Sequence, residues 1–317
     1  MQTIANPWLW GGFAVVVIAA LLADLVLMRH GGPHKVTFKE ATWWSIGWIV
    51  LALLFNAGLW WYLRGTLDTA EANRIGLEFL TGYLVEKSLA VDNIFVFLMV
   101  MSYFAVPEEE RQKVLVIGVL GAIALRAVMI FAGAALLTKF HWLLYVFGAF
   151  LLFTGIKMWF SAGKEPDLES NPALRWMRSH LRLTDGYHGH ALSVMREGKR
   201  WFTPLFVVLI LIAVTDVIFA VDSIPAIFAI TTDPFIVLTS NVFAVLGLRA
   251  MFFLLAGMAD RFHLLPYGLA VVLVYIGAKM LLIDVVKIPV LVSLGVVFGI
   301  LAVTVWLSLV RPAKGTD

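Results

Sequence analysis

The sequence predicts an all-α polytopic membrane protein: nine transmembrane helices organised around an inverted-topology repeat of three plus three. Three observations carry this. The chain has 317 residues, of which 61% are hydrophobic and only 14% charged, with a mean hydropathy of +0.91, more apolar surface than a soluble core can hide. Apolar runs of the roughly 20 residues that a helix needs to span a bilayer recur nine times. The stretches on either side of a central polar segment also resemble each other. A β-barrel would instead show short alternating segments.

Taken in order, the first run covers 7–28 and the second 43–63, both within an N-terminal segment 1–74. The first basic residue, Arg29, follows the first run instead of preceding it, so that run is expected to be retained and not removed as a signal peptide. Runs 77–104, 114–137 and 142–160 fill a first repeat, 75–160. The only long polar segment, 161–202, follows as a loop. Runs 203–230, 235–257 and 266–285 fill the second repeat, 203–286, and the last run, 289–310, lies in a C-terminal segment 287–317. Trp8, Trp10, Trp43, Trp44, Trp60 and Trp61 sit near span ends, as interface anchors do.

Orientation follows from basic residues in alternate loops. One set holds Arg29, Lys35, Lys39, Arg111, Lys113, seven residues between Lys164 and Arg200, Arg261, Arg311 and Lys314, fifteen in all. The other holds only Arg64, Arg74, Lys139 and Lys287. The positive-inside rule therefore places the N-terminus outside and both the 161–202 loop and the C-terminus inside.

The repeat is explicit in the residues. SLAVDNIFVF (88–97) recurs as IFAVDSIPAI (218–227), ALRAVM (124–129) as GLRAMF (247–252), and FHWLLYVFGAFLLFTGIKM (140–158) as FHLLPYGLAVVLVYIGAKM (262–280). The first unit starts outside and the second inside, so the two have opposite orientations. Such repeats characterise secondary transporters, whose substrate site lies near the bilayer midplane between the repeats.

Within the repeat, Glu86 corresponds to Asp216 and Asp92 to Asp222, and Asn93 and Ser223 follow the second acids. A carboxylate at mid-membrane depth costs about 2.5–3.5 kcal/mol on insertion scales, so each needs a partner, water or an ion. Six residues of α-helix set the two acids of one span about 120° apart and about 9 Å along the axis. Either each helix is interrupted between its acids, a reading Pro225 supports because it cannot donate to the Val221 carbonyl, or the acids mark neighbouring parts of one pathway. Glu86, Asp92, Asn93, Asp216, Asp222 and Ser223 form an all-oxygen candidate metal site. Such oxygens suit Mn²⁺, Mg²⁺ or Ca²⁺ and do not choose among them, whereas zinc and copper favour the His or Cys that the spans lack. Facing carboxylates emptied of a cation repel one another, so proton uptake is the expected way to reset the site.

The competing reading is structural. Lys87, Arg126, Lys157, Arg249 and Lys279 lie at or near membrane depth, and the acids are then simply their ion-pair partners. For Arg126, Lys157, Arg249 and Lys279, bracing the acids or snorkelling to an interface is the main expectation. His141 and His263, near span ends, read as interfacial, as does Asp24. Leu174, Trp176 and Met177 among the basic residues of the 161–202 loop outline a short helix for an interface or partner, although the loop reads first as a topogenic positive segment. The chain has no cysteine, which removes disulfides and thiolate metal sites. Its basic residues form no long cluster for nucleic acid. It carries no P-loop, zinc-hydrolase helix or nucleophile elbow, so neither enzymatic activity nor a resident cofactor is expected.

EKSLAVDNIFVF (86–97) and TDVIFAVDSIPAIFAIT (215–231) resemble the TerC family of integral membrane proteins. The resemblance extends over TGYLVEKSLAVDN, GVLGAIALR, TTDPFIVLTSN and SLGVVFGIL. It implies a bacterial inner-membrane protein, related to the lysine-exporter superfamily and linked to manganese export, alkaline response and tellurite resistance. The family's acidic positions carry over onto Glu86, Asp92, Asp216 and Asp222. The residues point to transport of a divalent cation and the resemblance implies that the ion is Mn²⁺, so the expected function is export of Mn²⁺ from the cytoplasm, surrounded by membrane lipid and in exchange for H⁺. The alternative is a membrane scaffold or stress-response protein whose buried charges are structural.

Overall fold

The computed structural model describes residues 3–30, 37–140, 142–161, 172–196, 198–256, 263–286 and 288–310, with side chains for all of these except 25–30, 91, 92, 95, 138, 222 and 290. His141 therefore lies outside the described residues, and Asp92 and Asp222 are placed only by their backbone.

Helices dominate. They are α1 (Pro7–His30), α2 (Phe38–Arg64), α3 (Thr69–Tyr103), α4 (Glu108–Lys139), α5 (Leu143–Ser161), α6 (Pro172–His180), α7 (Pro204–Phe228), α8 (Pro234–Leu246), α9 (Leu248–Ala256), α10 (Leu265–Leu281) and α11 (Val290–Val310), with a hairpin of β1 (Ser193–Arg196) and β2 (Lys199–Phe202) before α7. Among the described residues, six helices are long and apolar enough to cross a membrane, or seven if α8 and α9, which meet at 41°, count as one bent span. The α3 helix has 35 residues but contains Glu78, Glu86, Lys87 and Asp92, and α10 is apolar but only 17 residues long.

Local chemistry sets the ends. Asp68 caps α3 by accepting from the Glu71 amide at 2.7 Å, and Asp233 caps α8 by accepting from Phe235 at 2.8 Å, ahead of a first-position proline. Pro225 falls in the final turn of α7, where it cannot donate to the Val221 carbonyl, yet the helix runs on to Phe228. Neither α3 nor α7 is interrupted between its acids, so the interruption considered from the sequence is absent. The break in the second repeat lies elsewhere, at Gly247 between α8 and α9.

At the centre sits α8, every residue of which is buried. The outward faces of the surrounding helices expose large apolar side chains, among them Val15, Leu54, Val128, Phe153, Phe298 and Trp306. Lipid suits such a surface and water does not. This is an integral, multi-pass membrane protein.

Between lipid-bathed helices close packing replaces the hydrophobic effect, and small residues permit it. The α5–α10 crossing shows this. A Cβ on Gly155 would lie 2.8 Å from the Ala270 carbonyl and 2.9 Å from the Val274 amide, and a Cβ on Gly277 would lie 2.8 Å from the Gly148 carbonyl and 2.7 Å from the Leu152 amide. Residues 148, 152 and 155 are the repeat counterparts of 270, 274 and 277. Moving up α5 from 148 to 155 thus means moving back along α10 from 277 to 270, so the two helices cross antiparallel with each making the other's contacts.

The 161–202 segment is more structured than a topogenic loop requires. In α6, Leu174 and Met177 are buried in the core shared with α3, α4 and α7, so this face is satisfied within the chain, while Trp176 stays exposed. The hairpin follows, with Val194 opposite Trp201. The cap docks on the bundle end through Tyr187, whose hydroxyl donates to the Phe104 carbonyl at 2.7 Å, and Lys113, which donates to the His190 carbonyl at 3.1 Å.

Candidate functional site

The α3 helix carries an uneven distribution of polarity. Glu71, Glu78, Glu86 and Asn93 are spaced seven, eight and seven residues apart, which at 100° per residue keeps them within roughly 80° of one another. The stripe faces the neighbouring helices, and Glu78, Glu86 and Asn93 are all buried.

The middle of the stripe meets Arg126 of α4. This arginine has no solvent exposure, and its guanidinium pairs with the Glu86 carboxylate on one side and with Asp216 of α7, at 3.1 Å, on the other. Asn241 of α8 approaches the same guanidinium, Oδ1 to Nη1, at 3.5 Å. The two repeat-related acids are therefore brought together, and a cation from the chain itself holds them. Arginine fits because it remains charged when desolvated and presents a two-pronged donor.

One oxygen on each acid stays uncommitted. Glu86 Oε2, Asp216 Oδ2, Asn93 Oδ1 and Ser223 Oγ are all buried without a hydrogen-bond partner among the described residues. Unpaired buried acceptors are costly and rare, and here they come from four of the six predicted site residues. The remaining two, Asp92 and Asp222, lie one residue before Asn93 and Ser223 on unbroken helices. Among the described residues, no three His, Asp or Glu gather into a metal-binding group.

The other predicted bases go different ways. Lys87 donates to the Ala244 carbonyl of α8 at 3.1 Å, not to a described carboxylate. Arg249, the repeat counterpart of Arg126, pairs with Asp24 of α1 at 2.5 Å, which gives Asp24 a partner beyond its expected interfacial role. Lys157 is exposed on α5. Lys279 is half-buried in the last turn of α10. His263 lies 3.4 Å from the Ser308 hydroxyl, near a helix end as expected.

The structure adds Glu78 and Asn241, which the sequence reading did not single out. Glu78 had a visible signal, since it shares a helical face with Glu86. Asn241 had none, because its role depends on α8 lying at the centre. At the Glu71 end of the stripe an open cleft of about 470 Å³ is lined by Glu71, Arg74, Glu78, Thr231 and Asp233 among others. Arg74 bridges Glu71 and Glu78, and Thr231 lines the cleft beside them. The N-terminal segment covers one side, with the Ile4 amide donating to Asp233 at 2.7 Å and the Thr3 hydroxyl at 2.9 Å. Outside the spans, the hydrogen bond from Arg74 holds the Glu71 carboxyl below its ordinary range.

Comparison with known proteins agrees with this architecture. The model for the integral membrane protein TerC family matches residues 71–316. A protein of Salmonella typhi named putative membrane-bound redox modulator Alx is 57% identical over 99% of both chains. The protein of the same name from Escherichia coli K12 is 59% identical over 96% of this chain and 95% of its own. An uncharacterised membrane protein of Myxococcus xanthus is 48% identical over 98% of this chain and 94% of its own. No solved structure matches. With the acidic motifs, the helical bundle and a family match that spans both repeats, this chain belongs to the TerC family of integral membrane proteins.

Proposed function

We propose that the chain is a secondary transporter that exports Mn²⁺ from the cytoplasm across the bacterial inner membrane in exchange for protons. The observation that carries this is the set of buried, unpartnered oxygens on Glu86, Asp216, Asn93 and Ser223. Oxygen acceptors without donors are what a hard divalent cation satisfies. Because α3 and α7 are unbroken, the acids of each helix are about 9 Å apart along its axis. They serve better as successive stations on one path than as a single shell. Asp92 and Asp222, with Asn93 and Ser223 beside them, hold the metal, while Arg126 occupies Glu86 and Asp216.

In this reading α3 and α10 complete nine spans, and α3–α5 and α7–α10 are inverted copies. The antiparallel, mutually equivalent contacts of α5 and α10 support that relationship. The cleft at Glu78 is then the periplasmic mouth, on the side where the basic-residue count places the N-terminus. The relatives' name speaks of redox modulation. This chain has no cysteine, so thiol–disulfide exchange is not a route to such an effect here.

A second reading, a scaffold with structural charges, is favoured by the Arg126 clamp itself. Flux separates the two. Protein reconstituted alone into liposomes with an imposed Mn²⁺ gradient is expected to carry Mn²⁺ one way and protons the other, reported by trapped metal and pH dyes. Asp92→Asn and Asp222→Asn should each abolish both fluxes while the protein remains folded. Undiminished Mn²⁺ flux in both variants would end the site assignment, and a wild-type protein that moves no Mn²⁺ would leave the scaffold reading.

A further inference from the structure

A buried helix that stops inside a bundle leaves its last carbonyls without intrahelical partners, at the negative end of its dipole. The α8 helix does this at Leu246. The chain turns through 41° at Gly247 and continues as α9, and α8 is buried along its whole length. In membrane transporters such carbonyl ends are where cations are coordinated. Here the ammonium of Lys87 occupies the position, donating to the Ala244 carbonyl at 3.1 Å. It fits there because residue 247 has no side chain: a Cβ on Gly247 would lie 2.6 Å from Lys87 Nζ.

The repeat supplies an independent argument. The counterpart of Gly247 is Ala124, inside the unbroken α4, and the counterpart of Lys87 is Val217. The break and the lysine occur together in one half and are both absent from the other. Among the described residues, charges on the helices packed around Lys87 do not explain its placement. Glu86 of α3 and Asp216 of α7 are engaged by Arg126 of α4, and Arg249 of α9 by Asp24 of α1. Trp48 of α2 lines the notch as an apolar wall. Asn241, which touches Arg126, lies one turn before Ala244, so the notch adjoins the candidate site.

We propose that the carbonyl end of α8 is a latent cation site and that Lys87 is its tethered occupant, whose amine keeps the transported metal from lodging there. The inference rests on reading the chain as a cation transporter. The ammonium lets a metal pass the Arg126 cluster without being trapped against α8, so Lys87 sets release and turnover by its position. Removing it should make the protein hold divalent cations more tightly and move them more slowly.

Two variants test this. Lys87→Met keeps the length of the side chain and removes its charge. Gly247→Ala keeps the lysine but puts a methyl group 2.6 Å from the present position of its flexible end, so the amine is expected to shift away from the Ala244 carbonyl. Radiolabelled Mn²⁺ binding to the full-length protein in detergent, and saturation of Mn²⁺ flux in liposomes, are measured together with thermal stability. Both variants are expected to fold, to bind Mn²⁺ about tenfold or more tightly than wild type, and to show a lower KM with a lower maximal rate. Unchanged or weaker binding in both folded variants overturns the proposal, as does loss of folded protein in both, which would assign Lys87 to structure alone. A wild-type protein without flux defeats the transport reading, yet tighter binding in the variants would still identify the latent site.

Discussion

Arg126 and Arg249 occupy equivalent places in the two halves of the repeat and keep different company. The first is fully buried and joins α4 to acids on α3 and α7. The second, still 15% exposed, reaches outward to Asp24 of α1. The stripe on α3 is also unshared: the counterparts of Glu71 and Glu78 are Trp201 and Val208. The second half has instead the helix break at Gly247. The sequence likeness of the two halves is matched in contacts where α5 crosses α10, and the halves differ where charge is concentrated. The lesson is that repeat-related residues need not do the same work. A buried arginine at the centre holds the halves together, and its counterpart fastens a peripheral helix.

The largest expected effect comes from the central arginine. Arg126→Met leaves Glu86 and Asp216 buried without their cation, at a cost of about 3–5 kcal/mol. Thermal unfolding in detergent should show severe loss of folded protein. Equal losses for Arg126→Met and Arg249→Gln would break the comparison.

Next is the symmetric crossing. Gly155→Ala and Gly277→Ala each drive a methyl group to within 3 Å of opposing backbone and should each lower stability by about 1–3 kcal/mol. The same assay reads them, with Gly121→Ala, where nothing lies within 4 Å, as the control that is tolerated. Matching losses at 155 and 277 sharpen the equivalence of the halves, and a loss at only one would contradict it.

Arg249→Gln is expected to cost about 1 kcal/mol, since its pair is partly exposed. Its specific sign should be easier proteolysis in or beside α1 while the rest of the bundle stays protected. The smallest effect belongs to Glu71. Because Arg74 lowers the carboxyl's titration in the folded state, the pair's contribution is fully present above the ordinary carboxylate range and fades as pH falls through the lowered value. Glu71→Gln should remove a few tenths of a kcal/mol at neutral pH, a difference from wild type that closes on acidification. A difference that persists in acid would show that the pair is not its source.

Much of this was legible in the residues. The helical class, the approximate position of the long apolar helices among the described residues and the correspondence of Glu86 with Asp216 follow from apolar run length and from self-similarity, both properties of the chain alone, whereas of nine expected spans six or seven are long and apolar enough to count. Glu78 was also available in principle, as one more residue on the face that carries Glu86. The sequence could not say which base meets which acid. Arg126, Arg249, Lys87 and Lys279 are equally cationic as letters, and their partners lie between 90 and 225 residues away in the pairs with Asp216 and Asp24.

What the sequence determined by itself was that this chain must live in a membrane as helices. A backbone this apolar has to satisfy its hydrogen bonds within each segment, and a carboxylate inside such a segment has to find a counter-charge or an ion. What only the tertiary structure decided was the choice among counter-charges. It placed α8 at the centre, bent the chain at Gly247, committed Arg126 to Glu86 and Asp216, and gave Lys87 a carbonyl in place of an acid. These choices depend on which helices lie side by side, and contact between helices is set by side-chain volume and packing across the bundle, which hydropathy along the chain does not encode.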